Sequence, residues 1–144
     1  MSFTIHPLLI SGDDSDLHDF EDERCVIVDW REMETDLVGY VMRAIPEAGL
    51  SFTGDEEKDI TLAYKDKTLP VGLTHSPKDR YITIRAMNKV LEGDFEMRLF
   101  RVTYFSDTHM FYVQPSAWWQ EAERLHPQDM ERVFRRVDEG LDFP

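Results

Sequence analysis

The residues best suited to chemistry in this chain are one cysteine, five histidines and the tetrapeptide Ser106-Asp107-Thr108-His109. The tetrapeptide holds the residue types of a hydrolytic triad. Neighbours in a turn diverge, however, whereas triad groups must converge in space. It reads instead as a hairpin turn in which Asp107 bonds nearby backbone. Cys25 follows Asp22 and Glu23, with Arg24 the one adjacent base, and such surroundings oppose a reactive thiolate. No Gly-x-Ser-x-Gly elbow is present. His6, His18, His75, His109 and His126 never repeat as His-x-x-x-His, and one cysteine cannot build a thiolate zinc site. Asp14-Ser15-Asp16-Leu17-His18-Asp19 alternates like a calcium loop but lacks its glycine at the sixth position. The isolated glycines make no phosphate cradle. These patterns predict no catalytic residue, no metal and no cofactor. The competing reading is a small enzyme with a site gathered from scattered loops, with Asp107, His109 and His75 converging.

Charge points toward recognition. The formal net charge is −13, and seventeen of the 29 acids but only six of the 16 basic residues fall in residues 1–72. Nucleic acid needs clustered Lys and Arg, and anionic membranes need the same, so neither is an expected partner. A basic protein partner fits the acidic half. The densest cluster is Asp55, Glu56, Glu57 and Asp59 around Lys58. Trp118 and Trp119 are the second candidate contact. Adjacent helical side chains diverge by about 100°, so one can face the core while the other anchors a partner. Solubility explains much surface charge, and packing explains most tryptophans.

The elements that must position these residues follow from periodicity and caps. With 144 residues and 42% hydrophobic side chains, the chain has the size and composition of one domain with its own core. Residues 12–24 are acidic with two large apolar side chains, Leu17 and Phe20, and residues 1–24 read as a loop-like arm. Cys25–Val28 is a strand or a docking segment. Asp29, with Glu32 three residues on, predicts a capped helix. Its apolar stripe is Leu37, Val38, Val41, Met42 and Ile45, and Pro46 and Gly49 end it. Three strands follow, at residues 50–53, 60–64 and 68–73. Ser76-Pro77-Lys78-Asp79 opens a helix over residues 77–92, although Tyr81–Ile84 is β-prone. A strand runs over residues 95–104, with a phase slip at Leu99-Phe100 that suggests a bulge. Residues 110–114 return as its partner. Two helices close the chain, the last with Met130, Val133, Phe134 and Val137 on one side. The expected fold is α+β: a 1–24 arm, then one domain over 25–144 with a single antiparallel or mixed sheet of about five strands under helices. The leading residues lack the basic start of a secretory signal, no run is long enough to span a membrane, and the lone cysteine suits a reducing compartment, so the expected location is cytoplasmic.

Four segments carry a resemblance: Val28-Asp29-Trp30-Arg31-Glu32, Asp79-Arg80-Tyr81-Ile82-Thr83, Ser106-Asp107-Thr108-His109, and the Trp118-Trp119 pair. In size, acidity and lack of catalytic motif, roughly residues 25–138 resemble small acidic bacterial immunity proteins of contact-dependent or other polymorphic toxin systems. The resemblance assigns no residue a role. It implies a non-enzymatic inhibitor that neutralises a cognate toxin domain. A structural or regulatory domain is the third reading.

Overall fold

The computed structural model describes residues 3–138 together with Gly140 and Leu141. It holds two antiparallel sheets rather than the single one expected. The first sheet has the order β1-β6-β5-β7, with β1 at Cys25–Asp29, β5 at Phe95–Phe100, β6 at Thr108–Pro115 and β7 at Phe134–Arg136. The second has the order β2-β3-β4, at Ser51–Asp55, Asp59–Tyr64 and Lys67–Pro70. The helices are α1 (Leu8–Ser11), α2 (Asp14–His18), α3 (Glu34–Ala44), α4 (Asp79–Val90), α5 (Ser116–Leu125) and α6 (Pro127–Val133).

The central strands β5 and β6 of the four-stranded sheet are buried on both faces. Val26, Val28, Met97, Leu99, Phe111 and Val113 point to a core shared with α3, α4 and the small sheet. Phe100, Met110 and Tyr112 point the opposite way, into a second core with α1, α2, α5 and α6. A strand covered on both faces reads as a continuous apolar run rather than an alternating one. That explains Leu99-Phe100. No bulge is needed there, because the two side chains enter different cores, and the β5–β6 pairing runs in unbroken register from Phe95↔Pro115 to Leu99↔Phe111. The strand then ends in a 3-10 turn at Arg101–Thr103 instead of continuing to Tyr104.

Three other expectations change. The last helix stops at Val133, and Phe134 starts β7, which pairs with β5 through Phe100↔Phe134. Residues 12–24 are not a bare loop. Asp13 caps α2, with its carboxylate accepting from the Asp16 amide at 3.0 Å, and Leu17 and Phe20 are buried in the second core. Leu9 joins them, and Arg132 donates to the Gly12 carbonyl at 3.0 Å. Third, α3 starts at Glu34, five residues after the expected cap at Asp29. By contrast, the β-prone Tyr81–Ile84 is helical. Tyr81, Thr83 and Ile84 are all buried, so tertiary packing overrides local preference, and the Thr83 hydroxyl is satisfied by the Asp79 carbonyl at 2.8 Å.

Trp119 lies at the centre of the second core, 1% exposed, edge-on to Phe134 and Tyr112. Its indole N–H donates to the Glu96 carbonyl at 2.9 Å, and the Arg98 guanidinium lies 4.4 Å from its ring centroid. We expect Trp119→Ala to lower stability by about 3–5 kcal/mol, the usual range for emptying a large aromatic site. Equilibrium urea unfolding followed by circular dichroism measures it. A loss under about 1 kcal/mol would show that the second core contributes little to the cooperative fold.

Candidate functional site

Three of the four segments that carry the family resemblance meet at one end of the large sheet. The centre is Arg80, in the first turn of α4, buried at 5%. Its Nε donates to Glu34 at 3.2 Å, its Nη1 to the Asp29 carbonyl at 3.2 Å and its Nη2 to the Glu32 carbonyl at 2.7 Å. One guanidinium thus ties the loop after β1 to the start of α3. A planar fork with several donors suits this task, and lysine could not reproduce it. Burial pushes the Glu34 carboxyl up from its ordinary value, while Arg80 pulls it down.

The Asp29–Glu32 segment keeps half of its expected geometry. The Glu32 carboxylate does accept from the Asp29 amide at 2.9 Å, as a capping box requires. The Asp29 and Glu32 carbonyls, however, are turned to Arg80, so the backbone closes into a turn and helix formation waits until Glu34. The Trp30 amide crosses to the Asp107 carbonyl at 3.1 Å, joining this turn to the one before β6. Beneath them Tyr81 bonds His109 at 2.9 Å, and His109 is buried. Burial holds the His109 pKa below its ordinary value, against a backbone hydrogen bond to Tyr104. A neutral His109 therefore stabilises the fold above the unfolded histidine value of about 6.5, and that contribution is lost as pH falls below it.

The segments joined at this node expose three large apolar side chains. Trp30 is 58% exposed, Met33 59% and Phe105 86%, three of the five large hydrophobic side chains left exposed among the described residues. The backbone bond between Trp30 and Asp107 brings the Trp30 and Phe105 turns together, and Met33 caps α3 beside them. Neither Trp30 nor Phe105 is among the contact residues expected from the sequence. The only available signal was the density of large apolar side chains beside turn residues.

The predicted acidic turn is anchored to the same region. The Glu56 carboxylate accepts from the Thr35 amide at 2.9 Å and from the Thr35 hydroxyl, which docks the β2–β3 turn onto the start of α3. His75 Nε2 bonds the Glu56 carbonyl at 2.8 Å. Asp59 accepts from the Gly72 and Leu73 amides, each at 3.1 Å. Burial acts to raise the Asp59 pKa, but these amides hold it below the ordinary carboxylate value. Asp55 accepts from the Glu57 and Lys58 amides at 3.0 Å and closes the turn. At Gly54, with φ 92°, a Cβ would collide with the Asp59 carbonyl oxygen, so glycine is needed there. Glu56 and Asp59 are thus occupied in holding the fold, whereas Asp55 and Glu57 are exposed.

The tryptophan pair lies apart from this face, in the second core. Trp119 is closed to any partner by its burial, which corrects its candidacy as a contact. Trp118 is half-buried, and its indole N–H donates to the Thr4 carbonyl at 2.9 Å, holding the leading segment.

The residues of the enzymatic reading are engaged separately: His109 with Tyr81, His75 with the acidic turn, and Asp107 through its carbonyl with Trp30. Burial, reinforced by Asp22, pushes the Cys25 thiol up to about 12, so it stays protonated at neutral pH. Among the described residues no three His, Cys, Asp or Glu side chains are grouped to hold a metal ion.

Arg80→Met should cost about 3–5 kcal/mol, because it leaves Glu34 buried without its charged partner and removes the Arg80 donor from the Glu32 carbonyl, while the Asp29 carbonyl keeps the Glu32 amide at 3.0 Å. The companion Arg80→Met/Glu34→Leu, which removes both charges, should recover part of that loss. Thermal and urea unfolding of the three proteins checks the ordering. Compared with family models, with curated proteins and with solved structures, the chain matches none.

Proposed function

We propose that the chain is a non-enzymatic protein-binding domain for a basic protein, and that it acts in the bacterial cytoplasm as an immunity-type inhibitor of a toxin domain. The observation that carries the binding reading is the exposure of Trp30, Met33 and Phe105 on segments tied together by hydrogen bonds from Arg80 and between Trp30 and Asp107. Exposed aromatics on a pre-organised surface supply contact area at low entropic cost, the usual character of an interface anchor. Charge sets the partner's sign. Asp36, Asp55, Glu57 and Asp107 are exposed on the segments around the face, opposed by Arg31 and Lys58 and, on the Phe105 side, by Arg101. Asp55 and Glu57 keep the partner-contact role expected from the sequence, while Glu56 and Asp59 support the turn. No helix among the described residues is long and apolar enough to cross a membrane. The toxin-inhibitor part of the reading rests on the sequence resemblance, and the basic partner it needs agrees with the acidity of this face.

The test places a photocrosslinking amino acid at position 30, at position 57 and, as a control, at the exposed Gln120, in the native host. The reading expects one stoichiometric basic protein captured from positions 30 and 57 but not from 120. With that protein in hand, Trp30→Ala should speed dissociation by about 10-fold or more, as loss of an anchor does. Asp55→Asn/Glu57→Gln should slow association and flatten its salt dependence, with the amide at position 55 still able to close the turn. Capture of an acidic protein, or kinetics indifferent to Trp30→Ala, would contradict the assignment.

A further inference from the structure

We propose that the basic partner docks by adding an extended, cationic segment as a further strand on the outer edge of β2, an inference that rests on the binding reading above. β2 is a terminal strand of the small sheet. The Val71 amide donates to the Ile60 carbonyl at 2.8 Å, so the even positions of β3 bond β4. Its odd positions, Thr61 and Ala63, bond β2 through Thr53 and Ser51. The planar trans peptides of β2 therefore turn the N–H and C=O groups of Phe52 and Gly54 away from β3. Among the described residues no group bonds them. Gly54, with φ 92°, bends the edge, so Phe52 supplies the two regular bonds.

The other sheet edges are more closed. On β1 the Asp22 carbonyl takes the Cys25 amide at 3.0 Å, Glu32 takes the Asp29 amide at 2.9 Å, and Arg80 bonds the Asp29 carbonyl at 3.2 Å, so both sides of Ile27 are plugged. β4 ends in Pro70, which has no N–H to offer, and β7 is three residues long. β2 holds neither proline nor lysine, the usual guards of an edge. Ser51, Thr53, Gly54 and Asp55 are exposed, and Phe52 packs on the first core while remaining partly exposed.

Charge chooses the occupant. The edge runs into the turn where Asp55 and Glu57 are exposed, and Asp36 is exposed on the helix that Glu56 reaches. Lys58 in the turn and Arg43 on α3 oppose them, the latter 4.9 Å from the Tyr40 ring centroid. A second copy of the chain, at net charge −13, would bring like charge to this edge, whereas a basic segment is attracted. In antiparallel pairing the residue opposite Phe52 completes the burial of that ring. Its preceding neighbour meets Thr53 on the solvent face, and the residues before that reach Asp55 and Glu57.

The probe is the peptide acetyl-Lys-Lys-Val-Thr-Val-Thr-amide, titrated into the whole chain and read by amide NMR. The expected result is saturable shifts centred on Ser51–Asp55, with a Kd of about 1 mM or tighter, and slowed exchange of the Phe52 amide. The same peptide with Glu in place of both Lys should bind at least about 10-fold more weakly, and Asp55→Asn/Glu57→Gln should weaken the basic peptide in the same way. Phenyllactic acid in place of Phe52 keeps the ring and removes only the N–H, and should weaken binding about 5-fold. Melting temperatures establish that the variants are folded. Trp30→Ala should leave the titration unchanged. No saturable shift, shifts centred away from β2, equal binding of the acidic peptide, or indifference to the Phe52 N–H would each overturn the proposal. A basic protein captured from position 30 without a peptide response at β2 would overturn this docking mode and leave the binding reading standing. A β2 response with no captured protein would support the edge and remove that reading.

Discussion

The arrangement of this molecule depends on burying one guanidinium. Arg80 is charged at any physiological pH and lies 5% exposed. Withdrawing such a group from water costs several kcal/mol unless its donors are satisfied. Here the single stretch Asp29–Glu34 meets that demand, and in doing so it is fixed against the first turn of α4. Asp29 and Glu32 supply carbonyls and Glu34 supplies charge. The loop after β1 therefore cannot continue as helix, Trp30 and Met33 are left outside, and α3 begins where the Glu56 carboxylate can reach Thr35. A hydrophobic replacement at such a site can match a buried ion pair in stability. What it would not do is hold a loop, a helix start and a hairpin turn in one geometry.

Rigidity is costly to a solvent-facing loop and useful to a binding one. An exposed Trp30 on a mobile loop would lose conformational freedom on meeting a partner, whereas one held from beneath has already lost it in folding. The large sheet, with its doubly buried β5 and β6, supports this face from behind. Its second core, centred on Trp119, also packs the leading segment and the last helix onto the domain.

Much of the fold was legible in the sequence. The stripe Leu37, Val41 and Ile45 set α3, and the alternating hairpins set β2 to β6 within a few residues. The legible part was local: caps, turns and periodicity. Two failures share a cause. Leu99-Phe100 looked like a slipped register because a one-face rule was applied to a strand with two buried faces. Asp29–Glu32 looked like a helix start because its short-range bond is the one a helix makes, while the competing bond comes from Arg80, far along the chain. For the same reason the acidic turn was recognisable, but the division within it was not. That Glu56 and Asp59 serve the fold and Asp55 and Glu57 face solvent depends on where Thr35, Gly72 and Leu73 lie in space.

Native-state amide hydrogen exchange, compared between the parent and Arg80→Met, tests the role of Arg80 most directly. In the parent, the amides of Trp30 and Thr35 should be protected well beyond loop rates, since both are hydrogen-bonded across segments that Arg80 fixes. In the variant, protection should fall at these two positions by more than the global loss of stability accounts for, while Phe111 and Val113 in β6 follow the global change. Uniform loss across the chain, or loop-like exchange at Trp30 already in the parent, would contradict the claim that Arg80 builds the face.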